Sequence, residues 1–258
     1  MNKTILKSVL FALSVIAFLA LVLAAAFVKQ VTAPLPSADE IASLQMAATR
    51  DAVAENRLRL AAGAGMPEAQ LALGRLLIWR TRTVEREEGR AWLGLVAGNA
   101  GHATVATAAQ TELGKSYFRG VGSDGPDYRR AFNSLDAAAQ QGDAVAAYYL
   151  ALMYKNGLGV PANKILAARW MLKSAQQNIP AAMFIVANMY LSGDGLPRDE
   201  RETRQWIEKA AEMEHPEASQ LMAIGLREGS MGFRRNEKLA EMQMREAAHA
   251  LTHRALDP

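Results

Sequence analysis

Two histidines four residues apart, His249 and His253, are the nearest approach in this chain to a metal-binding pair. On a helix that spacing puts both imidazoles on one face, where they can hold a metal weakly. No HExxH glutamate stands between them, so the pair reads as part of an exposed helix end. The other two histidines, His102 and His215, fall in turns between repeated segments. There is no cysteine, which excludes disulfides, thiolate catalysis, cysteine-ligated zinc and a lipidated N-terminal cysteine. No Ser-His-Asp set is recognisable, and no paired carboxylates stand apart from helix caps and surface pairs. The pairs Gly157/Gly159 and Gly193/Gly195 resemble phosphate loops at first sight. They lack a preceding strand, a third spaced glycine and a following Lys-Ser/Thr, so they read as turns that end helices. The mixed-sign run from Arg80 to Arg90 reads as a solvated loop entering a helix. These residues imply no enzyme, no cofactor, no metal and no small-molecule substrate.

The chain that carries them has 258 residues, half of them hydrophobic but only 7% aromatic, with alanine at 49 positions. Alanine favours helix, whereas strands draw on β-branched and aromatic side chains, so the composition points to closely packed helices. The formal charge of +3 is unevenly placed: without Lys3 and Lys7, 27 basic residues face 26 acidic ones. A near-neutral body lacks the basic stripe that nucleic acid requires.

From Val9 to Val28 the chain reads VLFALSVIAFLALVLAAAFV, with Ser14 its one polar residue. A helix of this length spans roughly 30 Å, the thickness of a hydrocarbon core. Lys3 and Lys7 precede the run, which places the N-terminus in the cytoplasm and exports the rest. The alternative is a cleaved signal peptide, with Ala24-Ala25-Ala26 as small residues for a peptidase; the apolar run is longer than a usual signal core. Both readings put the body outside the cytoplasm, as an inner-membrane protein with a periplasmic domain or as a soluble periplasmic one. Pro34 and Pro36 then keep residues 29–37 extended. Ser37 and Glu40 form a capping box, and the spacing predicts one capping helix from Ala38 to about Ala62, within residues 38–65.

Beyond it the chain repeats. Residues 146–175 align without a gap on 182–211: Ala146 with Ala182, Tyr154 with Tyr190, Gly157 with Gly193, Gly159 with Gly195, Trp170 with Trp206 and Lys173 with Lys209. Ala109, Leu113, Gly114, Tyr117, Gly120, Gly122 and Ala131 form an earlier copy. Ala69, Leu73, Gly74, Leu77 and Ala91 form a degenerate first copy, and Ala218, Leu226, Gly229 and Ala240 a last one. The copies run approximately 66–101, 102–142, 143–178, 179–214 and 215–250. Each reads as helix, turn, helix. Pro67, Pro180 and Pro216 suit the first turn of a first helix, the glycines end it, and Asp127, Asn163, Asp199 and Asn236 cap the second. Trp170 and Trp206 fall on the buried side, one turn before Lys173 and Lys209.

Alanine, Leu-Gly, tyrosine, Gly-x-Gly, Asp/Asn cap, alanine, tryptophan and Lys-Ala-Ala in this order resemble the Sel-one-like repeat (SLR) family, a relative of the tetratricopeptide class. The resemblance covers residues 66–250. It implies a right-handed α-solenoid of about five helix-turn-helix repeats, here following one N-terminal transmembrane helix, and a scaffold or adaptor for other proteins at the cell envelope. The partner would be another protein, either an envelope complex component or a toxin. In the latter case the chain would be an immunity protein neutralising a periplasm-acting antibacterial toxin such as a phospholipase. A hydrolase role, claimed for cysteine-rich relatives, is disfavoured because this chain lacks their disulfides.

In tetratricopeptide-like solenoids the first helix of each hairpin lines the concave face. If the alanine and tyrosine of each copy face the core, positions three and six after the alanine form one outward stripe. That stripe holds Ala72 and Arg75, Glu112 and Lys115, Tyr149 and Leu152, Ile185 and Asn188, and Leu221 and Ile224. The last three copies present five apolar residues there and one asparagine. They either form one apolar groove for a partner, rimmed by Glu112 and Lys115, or pack against the neighbouring helix or beneath the C-terminal helix.

Overall fold

The computed structural model describes residues 34–120 and 125–253, all helix and turn. The apolar run Val9–Val28 lies outside them, and among the described residues no helix is long and apolar enough to cross a membrane. The chain divides between Leu77 and Ile78 into two compact units.

The first unit holds three helices: α1 (Ala38–Ala47), α2 (Ala52–Gly63) and α3 (Pro67–Leu77). Where one helix was expected to run from Ala38 to Ala62, two form. The capping box is present: Glu40 N–H donates to Ser37 Oγ, and Ser37 N–H donates to the Glu40 carboxylate at 2.8 Å. The break comes at Asp51, whose extended backbone and side chain cap a new helix by accepting from Val53 N–H at 2.8 Å. A mid-helix aspartate competes for backbone donors in this way. Leu58, Ala61, Ala62, Ala69 and Leu73 are wholly buried between these helices.

The second unit begins with α4 (Thr83–Ala97), a 3₁₀ turn at Ala100–His102, and α5 (Ala103–Arg119). The expected solvated run Arg80–Arg90 is anchored at its centre. Arg86 is 1% exposed, and its guanidinium donates to the carbonyls of Arg80 and Thr81 and to Thr83 Oγ1. Burial of a charge is tolerated here because the turn before α4 offers its backbone acceptors.

From α5 onward, helices pair into hairpins: α5 with α6 (Tyr128–Gln140), α7 (Ala144–Asn156) with α8 (Lys164–Ala175), α9 (Pro180–Ser192) with α10 (Glu200–Glu212), and α11 (Pro216–Glu228) with α12 (Glu237–His253). Each second helix also packs on the first helix of the next hairpin, which makes a stacked array. Ala109, Ala146, Ala182 and Ala218 have no exposed surface, so helix axes approach closely there. Asp127, Asn163, Asp199 and Asn236 all cap second helices through their side-chain oxygens. Gly157, Gly193 and Gly229 end first helices in the left-handed region, where a Cβ is disfavoured. The following glycines seat each hairpin on the one before. A Cβ on Gly159 would lie 2.7 Å from the Tyr128 carbonyl oxygen, and one on Gly232 would lie 2.7 Å from that of Glu200. Gly195 meets the Lys164 carbonyl in the same way. Trp170 and Trp206 are 6% and 7% exposed, with Lys173 and Lys209 nitrogens over their rings at 4.1 and 4.4 Å.

Candidate protein-binding surface

Apart from Ala72 and Arg75 on α3, the residues of the expected stripe fall on the first helices α5, α7, α9 and α11. On α5 that stripe is charged. Glu112 and Lys115 pair with each other at 3.5 Å, both side chains 13% exposed, a helical ion pair rather than two separate rim charges. Arg119 lies one turn further on the same stripe, and its guanidinium rests over the rings of Trp79 and Tyr149 at 5.4 and 5.8 Å. It also donates to Tyr149 Oη.

Tyr149 departs from expectation. It was assigned to the outward stripe, yet it is 4% exposed and belongs to the core cluster. Its ring meets Phe118 edge-on at 5.2 Å and Tyr148 at 5.4 Å. The turn of α7 that carries it faces α5, so a large ring there closes the seam between two hairpins instead of facing water. Ala72 of α3 is likewise buried. Burial and the neighbouring Tyr149 push the Tyr148 phenol above its ordinary range, against the opposing pull of Arg119.

The rest of the stripe is accessible to different degrees. Leu152, Ile185 and Leu221 are half-buried against the core cluster, and Ile224 is 39% exposed. Asn188 is half-buried and donates to the Phe184 carbonyl of its own helix at 2.9 Å. Helix α9 carries no charged residue at all, so the middle of this face is apolar with one amide. Among the described residues no group of histidines and carboxylates is placed to hold a metal ion.

The Sel1 repeat model matches residues 107–143, 144–179 and 180–215. Residues 107–215 are three Sel1 repeats within a helical-repeat array. This array is similar to a Sel1 repeat protein from Oxalobacter formigenes, with a TM-score of 0.64, 21% identity and 76% of each chain covered. It is also similar to a protective antigen of uropathogenic Escherichia coli strains displaying an SLR fold, with a TM-score of 0.65 and 27% identity. That similarity covers 76% of this chain and 41% of the antigen's length. Among curated proteins none matches significantly. Sel1 repeats are in general protein–protein interaction modules, and the stacked hairpins here have that architecture. The hairpin α11–α12 lies beyond the three matched repeats but keeps their cap, turn glycine and seating contact at Asn236, Gly229 and Gly232.

Two residues of this face escaped the sequence reading. Arg119 was within reach of it, since 112, 115 and 119 continue one helical stripe. Trp79, 41% exposed, stands in the turn before α4 and only the fold brings it to Arg119.

Proposed function

We propose that this chain is a non-enzymatic scaffold held at the bacterial inner membrane by residues 9–28, with its helical array in the periplasm. The run of apolar residues preceded by Lys3 and Lys7 supports the placement. The observation that carries the binding role is the uncharged helix α9, with Ile185 on its face and the exposed Ile224 on the next first helix. Large apolar side chains at such a place supply most of the energy of a protein interface. Leu152, Ile185, Leu221 and Ile224 form its apolar part, Asn188 its amide, and Glu112, Lys115 and Arg119 its charged end.

A photo-crosslinking amino acid placed at residue 185 or 224 in the full-length chain tests this in cells. The same probe at Ile165, 68% exposed on the second helix α8, is the control. Discrete adducts from 185 and 224 and none from 165 are expected. Equal labelling from all three positions, or none, overturns the assignment of this face.

A further inference from the structure

The last repeat contains a second candidate site, away from the apolar stripe. Between the end of α10, α11 and α12 lies a cleft of about 450 Å³. Glu208, Glu212 and Glu214 line it from α10 and the turn that follows, and Glu246 and His249 from α12. The repeat does not require these carboxylates. One copy earlier, the places of the first three are held by Leu172, Gln176 and Asn178. Glu246 stands ten residues after its cap Asn236, where the two preceding copies carry Lys173 and Lys209. Gln243, three residues before it, replaces the buried tryptophan of those copies. The final copy thus loses an indole and exchanges a cation for an anion at one cleft.

Two further features set the cleft apart. Glu214 adopts a φ of 59°, in a turn where the two preceding copies use Gly142 and Asn178, residues suited to that backbone. Ser219, on the cleft lining, is 2% exposed, and its hydroxyl makes no hydrogen bond to any described residue. That hydroxyl is left to be satisfied from the cleft it lines. Ala147 and Met183, both buried, hold the same place in the two preceding copies, so the polarity is particular to this one.

Glu208 is engaged by Arg204 at 3.0 Å. Glu212, Glu214 and Glu246 have no ion pair among the described residues, and no set of carboxylates is close enough to hold a metal ion. Carboxylates spread along the walls of a cleft suit a longer cation. Met222 supplies an apolar wall for its stem. We propose that this cleft binds a lysine or arginine side chain from a basic segment of a partner protein, its charged head among Glu212, Glu214 and Glu246 and donating to Ser219 Oγ.

The array contains its own control. A cleft of about 410 Å³ at the matching place of the first complete hairpin, with Gln110 where Ser219 stands, carries amides and small residues and no carboxylate. Fluorescence anisotropy of fluorescein-labelled tetralysine, titrated with the detergent-solubilised full-length chain, tests the proposal. Binding should weaken about tenfold when Glu212→Gln is combined with Glu246→Lys, and should fall with added salt. Ser219→Ala should weaken it by a smaller factor with helicity unchanged. Met222→Trp, which fills the cleft without changing charge, should also block it. Glu241→Gln removes an exposed carboxylate of α12 outside the cleft and should leave binding intact. Equal loss in Glu241→Gln, indifference to all cleft variants, or no tetralysine binding overturns the proposal. Crosslinking from residues 185 and 224 would be unaffected by any of these results.

Discussion

Tyr148 shows how packing turns a surface side chain into a pH-sensitive one. Burial holds its phenol proton more tightly than in the unfolded chain, where the ordinary value is 10.0. Because the folded pKa is the higher, this contribution is complete below about pH 10 and is lost as pH rises through the folded value. Stability should therefore decline on alkaline titration, and Tyr148→Phe should decline less steeply. Thermal unfolding followed by circular dichroism between neutral pH and the tyrosine range checks this; identical profiles would show that Tyr148 plays no part. Tyr154 and Tyr190 are shifted the same way by burial, so the decline persists in reduced form. The neighbouring Tyr149 shows why a stripe drawn from spacing alone mixes core with surface. Positions three and six after the alanine share a helical face, but where two hairpins meet, that face is itself a seam.

Helix boundaries were the most legible part of this protein, because they depend on local backbone chemistry. Asp199 caps α10 by accepting from Arg201 and Glu202 N–H at 2.8 and 3.1 Å. Asp199→Ala should cost about 1 kcal/mol, measured by urea unfolding. Asn163, Asp127 and Asn236 were readable for the same reason, as were the turn glycines and the starting prolines. The break between α1 and α2 was not, since Asp51 sits in a sequence that is otherwise good helix. Arg86 was missed because its partners are carbonyls, which leave no mark on side-chain patterning. The cleft beside Ser219 was invisible for another reason: its walls come from three helices. The substitutions that make it acidic look like surface drift until those helices are brought together.

Across the second unit each hairpin touches mainly its neighbours, so damage should stay local. Trp206 is buried and its indole N–H donates to Glu202 at 3.2 Å. Trp206→Ala should cost about 3–5 kcal/mol, as for other large core deletions. Hydrogen exchange should show that loss as faster exchange in α9 to α12, with α1 to α3 unchanged. Uniform acceleration throughout the chain would mean that the array unfolds as a single block. The joint between hairpins has a longer reach. Gly159, Gly195 and Gly232 each press against a carbonyl at the first residue of the preceding second helix, and the carbonyl is backbone whatever side chain stands there: Tyr128, Lys164 or Glu200. Gly232 makes this contact although its copy carries one extra residue after Gly229. A joint so indifferent to side chains allows unequal recombination within the gene to add or delete a whole copy and leave every remaining seam intact. Such a protein can change length first and acquire new surface chemistry afterwards.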